Sequence, residues 1–211
     1  MDIVEVLRQL RLEAWQIKTQ LWQQSFHTPQ WWFIVVAIAI SYAVWWKLAD
    51  KRRIVETLLY GSFIAVARII LDNWGILSGR WTYLTDLFPL GYSLFLNDLT
   101  VVPLFLMLVY QYSPDWKSFL GWLAAVQGAI SFLFWPLLSA LGILKLHDWQ
   151  LYKSFIFMIF IAVIMRAIML AGLSIQREAR KRGPQTGPAT LVAEPAMKPA
   201  DQGDDEEEGR G

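Results

Sequence analysis

The sequence contains no cysteine among its 211 residues. Disulfide bonds, thiolate metal ligands and cysteine nucleophiles are therefore excluded. An excess of charge of one sign is also lacking, because 19 Lys and Arg residues nearly balance 18 Asp and Glu residues. Since nucleic-acid binding requires a basic surface that neutralises phosphates, this balance argues against a nucleic acid as a partner.

Motifs that carry catalysis or ligand binding are missing as well. The chain has no Gly-rich phosphate loop, no GxSxG nucleophile elbow and no HExxH zinc motif. Its two histidines, His27 and His147, have no further ligand residues at metal-binding spacing. We therefore predict no catalytic residues, no metal site and no cofactor, and a non-enzymatic role is favoured.

Apolar and aromatic residues are abundant and occur in long runs. Hydrophobic residues make up 55% of the chain, and 12 residues are Trp. A helix crosses the hydrocarbon core with about 20 apolar residues, and Trp side chains favour the membrane interface. We predict an all-α integral membrane bundle of about five transmembrane helices, with spans at about 31–49, 54–77, 94–112, 116–141 and 151–175.

The segments that flank this transmembrane domain (residues 29–175) differ from it in composition. Residues 1–28 place apolar side chains on one helical face, which predicts an N-terminal amphipathic helix; they are Ile3, Leu7, Leu10, Ala14, Ile17 and Leu21. This helix either lies in the membrane interface or packs on the transmembrane domain. Residues 176–211 are charged and rich in Pro and Ala, which predicts a disordered cytoplasmic tail.

The distribution of Lys and Arg predicts the orientation of the chain. Nine of these residues flank the spans on the side of the tail and six on the side of the N-terminus. Positive residues accumulate on the cytoplasmic side of a membrane. We expect the C-terminus in the cytoplasm and the N-terminus outside. The partners expected in this setting are the lipid bilayer, further copies of the chain or another membrane protein.

Ionisable side chains within the predicted spans form a candidate site. With a helical rise of about 1.5 Å per residue, Arg68 and Asp72 in the second span reach the same depth as Asn97 and Asp98 in the third. We predict that these four residues form an intramembrane polar cluster. The cluster either fixes the packing of the bundle or lines a path for a ligand or an ion, and both interpretations stay open.

Six further residues are secondary candidates. Arg166 can reach towards Glu56 on the cytoplasmic side or extend its charge to the interface. Gln127, in the middle of the fourth span, is expected to satisfy a neighbouring helix. Trp81, Tyr83 and Tyr92 in the outer loop form either an aromatic belt or a binding pocket above the cluster.

Residues 50–175 contain a series of aromatic, proline and polar positions, namely Trp81, Tyr83, Pro89, Asp98, Pro103, Tyr110, Gln111, Tyr112 and Trp149. In these positions the chain resembles a family of small multi-pass membrane proteins from spore-forming Gram-positive bacteria, with Lys153 where a Tyr is expected. The resemblance implies a bacterial plasma membrane as the location and implies no activity.

Three functions agree with these observations. The favoured one is a non-enzymatic membrane protein with a structural, sensory or accessory role. The second is a component for small-solute or proton-coupled transport that uses the Arg/Asp cluster. The third is a membrane-embedded lipid-processing enzyme that uses the same carboxylates.

Overall fold

Helices form most of the described structure. The computed structural model describes residues 2–89 and 96–181. Within these residues the α-helices are α1 (Ile3–Ser25), α2 (Pro29–Leu48), α3 (Ile54–Leu77), α4 (Val102–Tyr112), α5 (Trp116–Ala129), α6 (Trp135–Ala140) and α7 (Leu151–Lys181). A 3₁₀ turn (Lys51–Arg53) precedes α3, and π-helical segments precede α4 (Leu96–Val101) and α6 (Ile130–Phe134). The predicted all-α fold is confirmed.

Four helical stretches are long and apolar enough to cross a membrane, namely Pro29–Leu48, Lys51–Leu77, Trp116–Ala140 and Leu151–Lys181. In place of the predicted third span, the described residues contain a shorter apolar helix, Asp98–Tyr112. Its far end still meets the turn between α2 and α3, where Gln111 accepts a hydrogen bond from the Asp50 amide at 2.8 Å and donates one to Leu48 O at 2.9 Å.

The last helix is longer than predicted. It continues through Lys181, so residues 176–181 are helical and do not belong to a disordered tail. At about 1.5 Å per residue, its 31 residues exceed the hydrocarbon thickness of about 30 Å. By its contacts the chain divides into one unit through Gly172 and a second that begins at Leu173. Residues 182–211 lie outside the described part of the chain.

Local sequence explains where α1 ends and α2 begins. His27 has a positive φ of 61°, which ends the run of α-helical residues. Thr28 then caps α2, accepting a hydrogen bond from the Trp31 amide with its side chain, and Pro29 occupies the first turn. The two apolar segments are therefore separate helices.

Both π-helical segments precede a proline. Pro103 follows the first segment in the opening turn of α4, and Pro136 follows the second in the opening turn of α6. Proline donates no backbone hydrogen bond, and its ring displaces the carbonyl four residues earlier. That carbonyl lies in the π-helical segment in each case, where the wider turn accommodates it. The prolines thus account for both departures from α-helical geometry.

A short antiparallel β-ribbon closes one end of the bundle. Its strands β1 (Trp81–Tyr83) and β2 (Leu144–Leu146) pair Trp81 with Leu146 and Tyr83 with Leu144. They follow the ends of α3 and α6, so we call this end of the bundle the ribbon end. The start of α2 also lies here, because Trp31 donates from Nε1 to Leu87 O at 3.4 Å.

The core of the bundle is centred on α4. Most of its residues are buried, including Leu106, Met107 and Tyr110. Helix α3 packs closely against it, because Gly61 leaves room for Met107; a Cβ atom at Gly61 would lie 1.8 Å from the Met107 Cε atom. The surrounding helices expose large apolar side chains on their outer faces, as lipid-facing helices do.

Candidate functional site

The buried face of α3 carries both an apolar contact surface and two charges. Its buried residues follow helical spacing and include Ile64, Arg68, Asp72 and Gly75. This face packs against α4 and the π-helical segment before it. Arg68 and Asp72 are therefore held inside the bundle by the same stripe that packs the helices together.

Arg68 and Asp98 form a buried ion pair between α3 and the π-helical segment. Arg68 donates to Asp98 Oδ1 from NH2 at 2.6 Å and from Nε at 3.1 Å. The two side chains are 2% and 0% exposed. A charge-assisted hydrogen bond of this length is strong, and burial in a medium of low dielectric constant increases the attraction between the charges.

Asp72 joins this pair to the β-ribbon. Its Oδ1 atom accepts a hydrogen bond from Trp81 Nε1 at 3.1 Å and from the Tyr83 hydroxyl at 2.7 Å. Its Oδ2 atom is buried without a hydrogen-bond donor among the described residues. Asp72 also interacts electrostatically with Asp98 and Arg68. The network of Arg68, Asp72, Asp98, Trp81 and Tyr83, hereafter the polar network, thus contains two carboxylates and one guanidinium.

The Tyr83 hydroxyl acts as a hydrogen-bond donor in this network. Burial and the neighbouring carboxylates of Asp72 and Asp98 raise the pKa of Tyr83 well above its ordinary value. The hydroxyl therefore remains protonated and keeps its proton directed at Asp72.

Trp81 extends the polar network into the aromatic core at the ribbon end. Its ring lies on Gly75, where a Cβ atom would approach the ring to 2.0 Å. Ring centroids of Trp81 lie 5.7 Å from Trp135 and 5.2 Å from Trp149. Trp149 in turn donates to Ser154 Oγ at 2.7 Å. The polar network and these aromatic contacts therefore connect α3, the π-helical segment before α4, the ribbon, α6 and the beginning of α7.

The secondary candidates Glu56 and Arg166 lie at the opposite end of the bundle. Glu56 accepts hydrogen bonds from Arg53 NH2 at 2.7 Å and from the Tyr110 hydroxyl at 2.6 Å. Arg166 donates from NH2 to Ser113 O at 2.9 Å, and its guanidinium carbon lies 4.3 Å from the centre of the Phe119 ring. Arg166 therefore holds the turn between α4 and α5.

Of the three remaining predicted site residues, only the Gln127 side chain lies within the described structure, and it does not join the polar network. Gln127 is buried and donates to Ser131 Oγ on its own helix at 3.1 Å, so it bonds within one helix and not across to a neighbour. Asn97 lies beside Asp98 in the π-helical segment, and its side chain is outside the description. Tyr92 lies outside the described residues.

A second buried ion pair has no signal in the sequence. Lys18 of α1 forms a salt bridge with Asp86, which follows β1. Next to it, Trp22 donates from Nε1 to Leu87 O at 3.1 Å. The partners are more than 60 residues apart in sequence and Asp86 lies in a loop, so neither helical periodicity nor spacing indicates the contact.

An apolar groove in the described structure is separate from the polar network. Its volume is about 560 Å³, and its walls include Ala37, Val101, Phe105, Val126 and Ile130. None of Arg68, Asp72 and Asp98 lines it. Among the residues that the structure describes, no group of three or more His, Asp or Glu side chains could hold a metal ion.

By length and composition, four helices of the described residues could each cross a membrane, as the helices of a multi-pass membrane protein do. Comparison of the chain with protein-family models, curated proteins and solved structures finds no match. The resemblance to small membrane proteins of spore-forming bacteria stays a prediction.

Proposed function

We propose that the chain is a non-enzymatic multi-pass protein of a bacterial plasma membrane with a structural or accessory role. In this proposal the polar network serves to hold the bundle together. The observation that supports it is the pair of Arg68 and Asp98, bonded at 2.6 Å with side chains 2% and 0% exposed. The pair joins α3 to the segment that leads into α4, the central helix.

Burial of the whole network favours a structural role over a path for solutes. Asp72, Trp81 and Tyr83 are also buried, whereas ionisable groups on a transport path face a water-filled cavity. A buried ion pair that is fully hydrogen-bonded sets the relative position of two helices, and removal of either partner leaves an uncompensated charge. The network therefore meets the requirements of a packing element.

We place the C-terminus in the cytoplasm on the balance of positive charge. Arg177, Arg180 and Lys181 form the exposed end of α7, and Lys51, Arg52 and Arg53 lie in the turn between α2 and α3. Positive residues favour the cytoplasmic side. The accessory role that we propose uses the region after α7 as the contact for cytoplasmic partners.

Substitution of the ion pair tests the structural role. Arg68→Gln and Asp98→Asn should insert into the membrane but should unfold in detergent at a lower temperature, since breaking a buried pair costs about 3–5 kcal/mol. Arg53→Gln is the matched control because its pair with Glu56 is partly exposed, and exposed pairs contribute about 1 kcal/mol or less. Unchanged melting temperatures for both buried-pair variants would contradict the proposal.

A second candidate is proton-coupled transport, and one observation favours it. Two carboxylates share one guanidinium in a buried site, and Asp72 Oδ2 has no hydrogen-bond donor among the described residues. One proton on the carboxyl pair would neutralise the excess negative charge and would form the missing hydrogen bond.

Proton flux separates the two candidates. If the network carries protons, Asp72→Asn should abolish a pH change inside proteoliposomes that contain a pH-sensitive dye, while its melting temperature stays within a few degrees of the parent. If wild-type proteoliposomes take up protons no faster than protein-free vesicles, the transport candidate is excluded. A melting temperature lowered in Asp72→Asn without any flux in the wild type supports the structural role.

A further inference from the structure

One apolar stripe runs along the whole of α1, and the described part of the chain covers only half of it. In the C-terminal half, Ala14, Lys18 and Leu21 face Ile76 and Tyr83 across a small cavity. The Lys18–Asp86 salt bridge and the hydrogen bond from Trp22 to Leu87 O hold this half in place. The C-terminal half is therefore docked on the ribbon end.

The N-terminal half continues the same stripe beyond the docked part. Counting back from Ala14 in helical steps of three and four gives Leu10, Leu7 and Ile3. These side chains are 57%, 49% and 82% exposed, and no residue of α1 is fully buried. Burial of apolar area is favourable by about 25 cal/mol per Å², so an extended apolar face of this kind indicates an interaction surface.

The position of α1 identifies what covers this face. The helix precedes α2 by a turn of three residues, Phe26 to Thr28. Trp22 at the end of α1 and Trp31 at the start of α2 both donate to Leu87 O, at 3.1 and 3.4 Å. Hence α1 lies at the level where α2 begins to cross the membrane.

Aromatic rings at this junction mark the same level. Phe26, His27, Trp31 and Trp32 contact one another with centroid distances from 4.0 to 5.8 Å. Such rings are enriched where hydrocarbon meets headgroups. The region next to the ribbon end at this depth is therefore the headgroup region of the bilayer.

We propose that the N-terminal half of α1, residues 3–12, lies in the headgroup region of the membrane with Ile3, Leu7 and Leu10 directed towards the acyl chains. Its partner is the phospholipid surface around the protein. The polar side has both signs of charge, and Arg8 donates to Glu5 on the same helix at 3.1 Å. Apolar burial and not attraction to anionic lipid therefore drives the contact, so neutral phosphatidylcholine suffices.

Single-cysteine labelling tests this placement, since the chain has no cysteine of its own. We would attach a nitroxide to Leu10→Cys and, as the matched control on the polar face, to Gln9→Cys. Both proteins would be reconstituted in phosphatidylcholine vesicles. Collision of the label with oxygen, which concentrates in lipid, is compared with collision with a water-soluble nickel chelate. The ratio of oxygen to nickel accessibility should be several-fold higher at position 10 than at position 9.

Two results would overturn the proposal. Equal nickel accessibility at positions 9 and 10 would place this half of α1 in water. Protection of position 10 from both reagents, with spin–spin broadening that disappears on dilution with unlabelled protein, would show that a second copy covers the face.

A charge in the stripe provides an independent variant. Leu7→Glu should raise nickel accessibility at position 10 several-fold. A label on Leu21→Cys should be unaffected, because the docked half is held by Lys18 and Trp22. If Leu7→Glu leaves accessibility at position 10 unchanged, the stripe does not contact lipid.

Discussion

At the scale of single residues, the polar network depends on Gly75, which has no side chain. Gly75 allows the Trp81 ring to lie against α3, and this contact brings the Trp81 Nε1 atom within 3.1 Å of Asp72. Any side chain at this position would occupy the space of the ring. Gly75 therefore determines the geometry of the network as much as the charged residues do.

Gly75→Ala should lower stability for this reason. The added Cβ atom would lie 2.0 Å from the Trp81 ring, and overpacking of this kind costs about 1–3 kcal/mol. Thermal unfolding in detergent measures the effect. Gly121→Ala is the control, because nothing lies within 4 Å of its Cβ position, and it should be neutral or slightly stabilising. Equal melting temperatures for the two variants would show that Trp81 moves without loss.

At the scale of elements, the Lys18–Asp86 ion pair joins α1 to the bundle, with side chains 15% and 8% exposed. The pair brings an N-terminal helix to the loop after β1. Because the carboxyl is buried, each partner depends on the other for its charge to be tolerated.

Lys18→Met should loosen α1 more than the double variant Lys18→Met/Asp86→Asn does. The single change leaves a buried carboxylate without its partner, at a cost of about 1–3 kcal/mol, whereas the double change removes both charges. Protease cleavage of α1 in the reconstituted protein reports its detachment. Additive effects of the two substitutions would show that the pair has no coupling.

The same pair predicts how stability depends on pH. Burial raises the pKa of the Asp86 carboxyl, and Lys18 opposes this rise. A carboxyl whose pKa is higher in the folded state than in the unfolded state stabilises the folded protein at low pH. This contribution is fully present below the unfolded pKa of about 3.9, and it is lost as the pH rises through the pKa of the folded state. Between pH 4 and pH 7, the melting temperature of Asp86→Asn should therefore fall less than that of the parent protein. An unchanged pH profile in this variant would contradict the assignment.

At the scale of the whole molecule, the chain passes between the two ends of the bundle five times, although within the described residues four helices are long and apolar enough to cross a membrane. The third passage is made by the shorter helix Asp98–Tyr112, which includes α4 and ends beside the α2–α3 turn. The ribbon end and α1 therefore lie on one side, and the α2–α3 turn and the α4–α5 turn on the other.

Labelling of intact cells tests the orientation that we propose. Cysteine at exposed Thr82 should react with a membrane-impermeant maleimide from outside, whereas cysteine at Lys51 or Glu178 should react only after permeabilisation. We expect this orientation because Lys and Arg are in excess at the α2–α3 turn and at the end of α7, and positive residues favour the cytoplasmic side. The reverse pattern would place the C-terminus outside.

The sequence by itself determined that the chain forms helices long and apolar enough to cross a membrane, because apolar length and Trp placement are properties of contiguous segments. It also placed Arg68, Asp72 and Asp98 at one depth, since helical rise converts residue number into distance. Only the tertiary structure decided that Arg68 bonds to Asp98 and not to Asp72, which lies four residues further along α3. It also decided that Trp81 and Tyr83 donate hydrogen bonds to Asp72. These contacts join different secondary-structure elements, and their geometry depends on helix packing, a π-helical turn and a ribbon that no local pattern encodes.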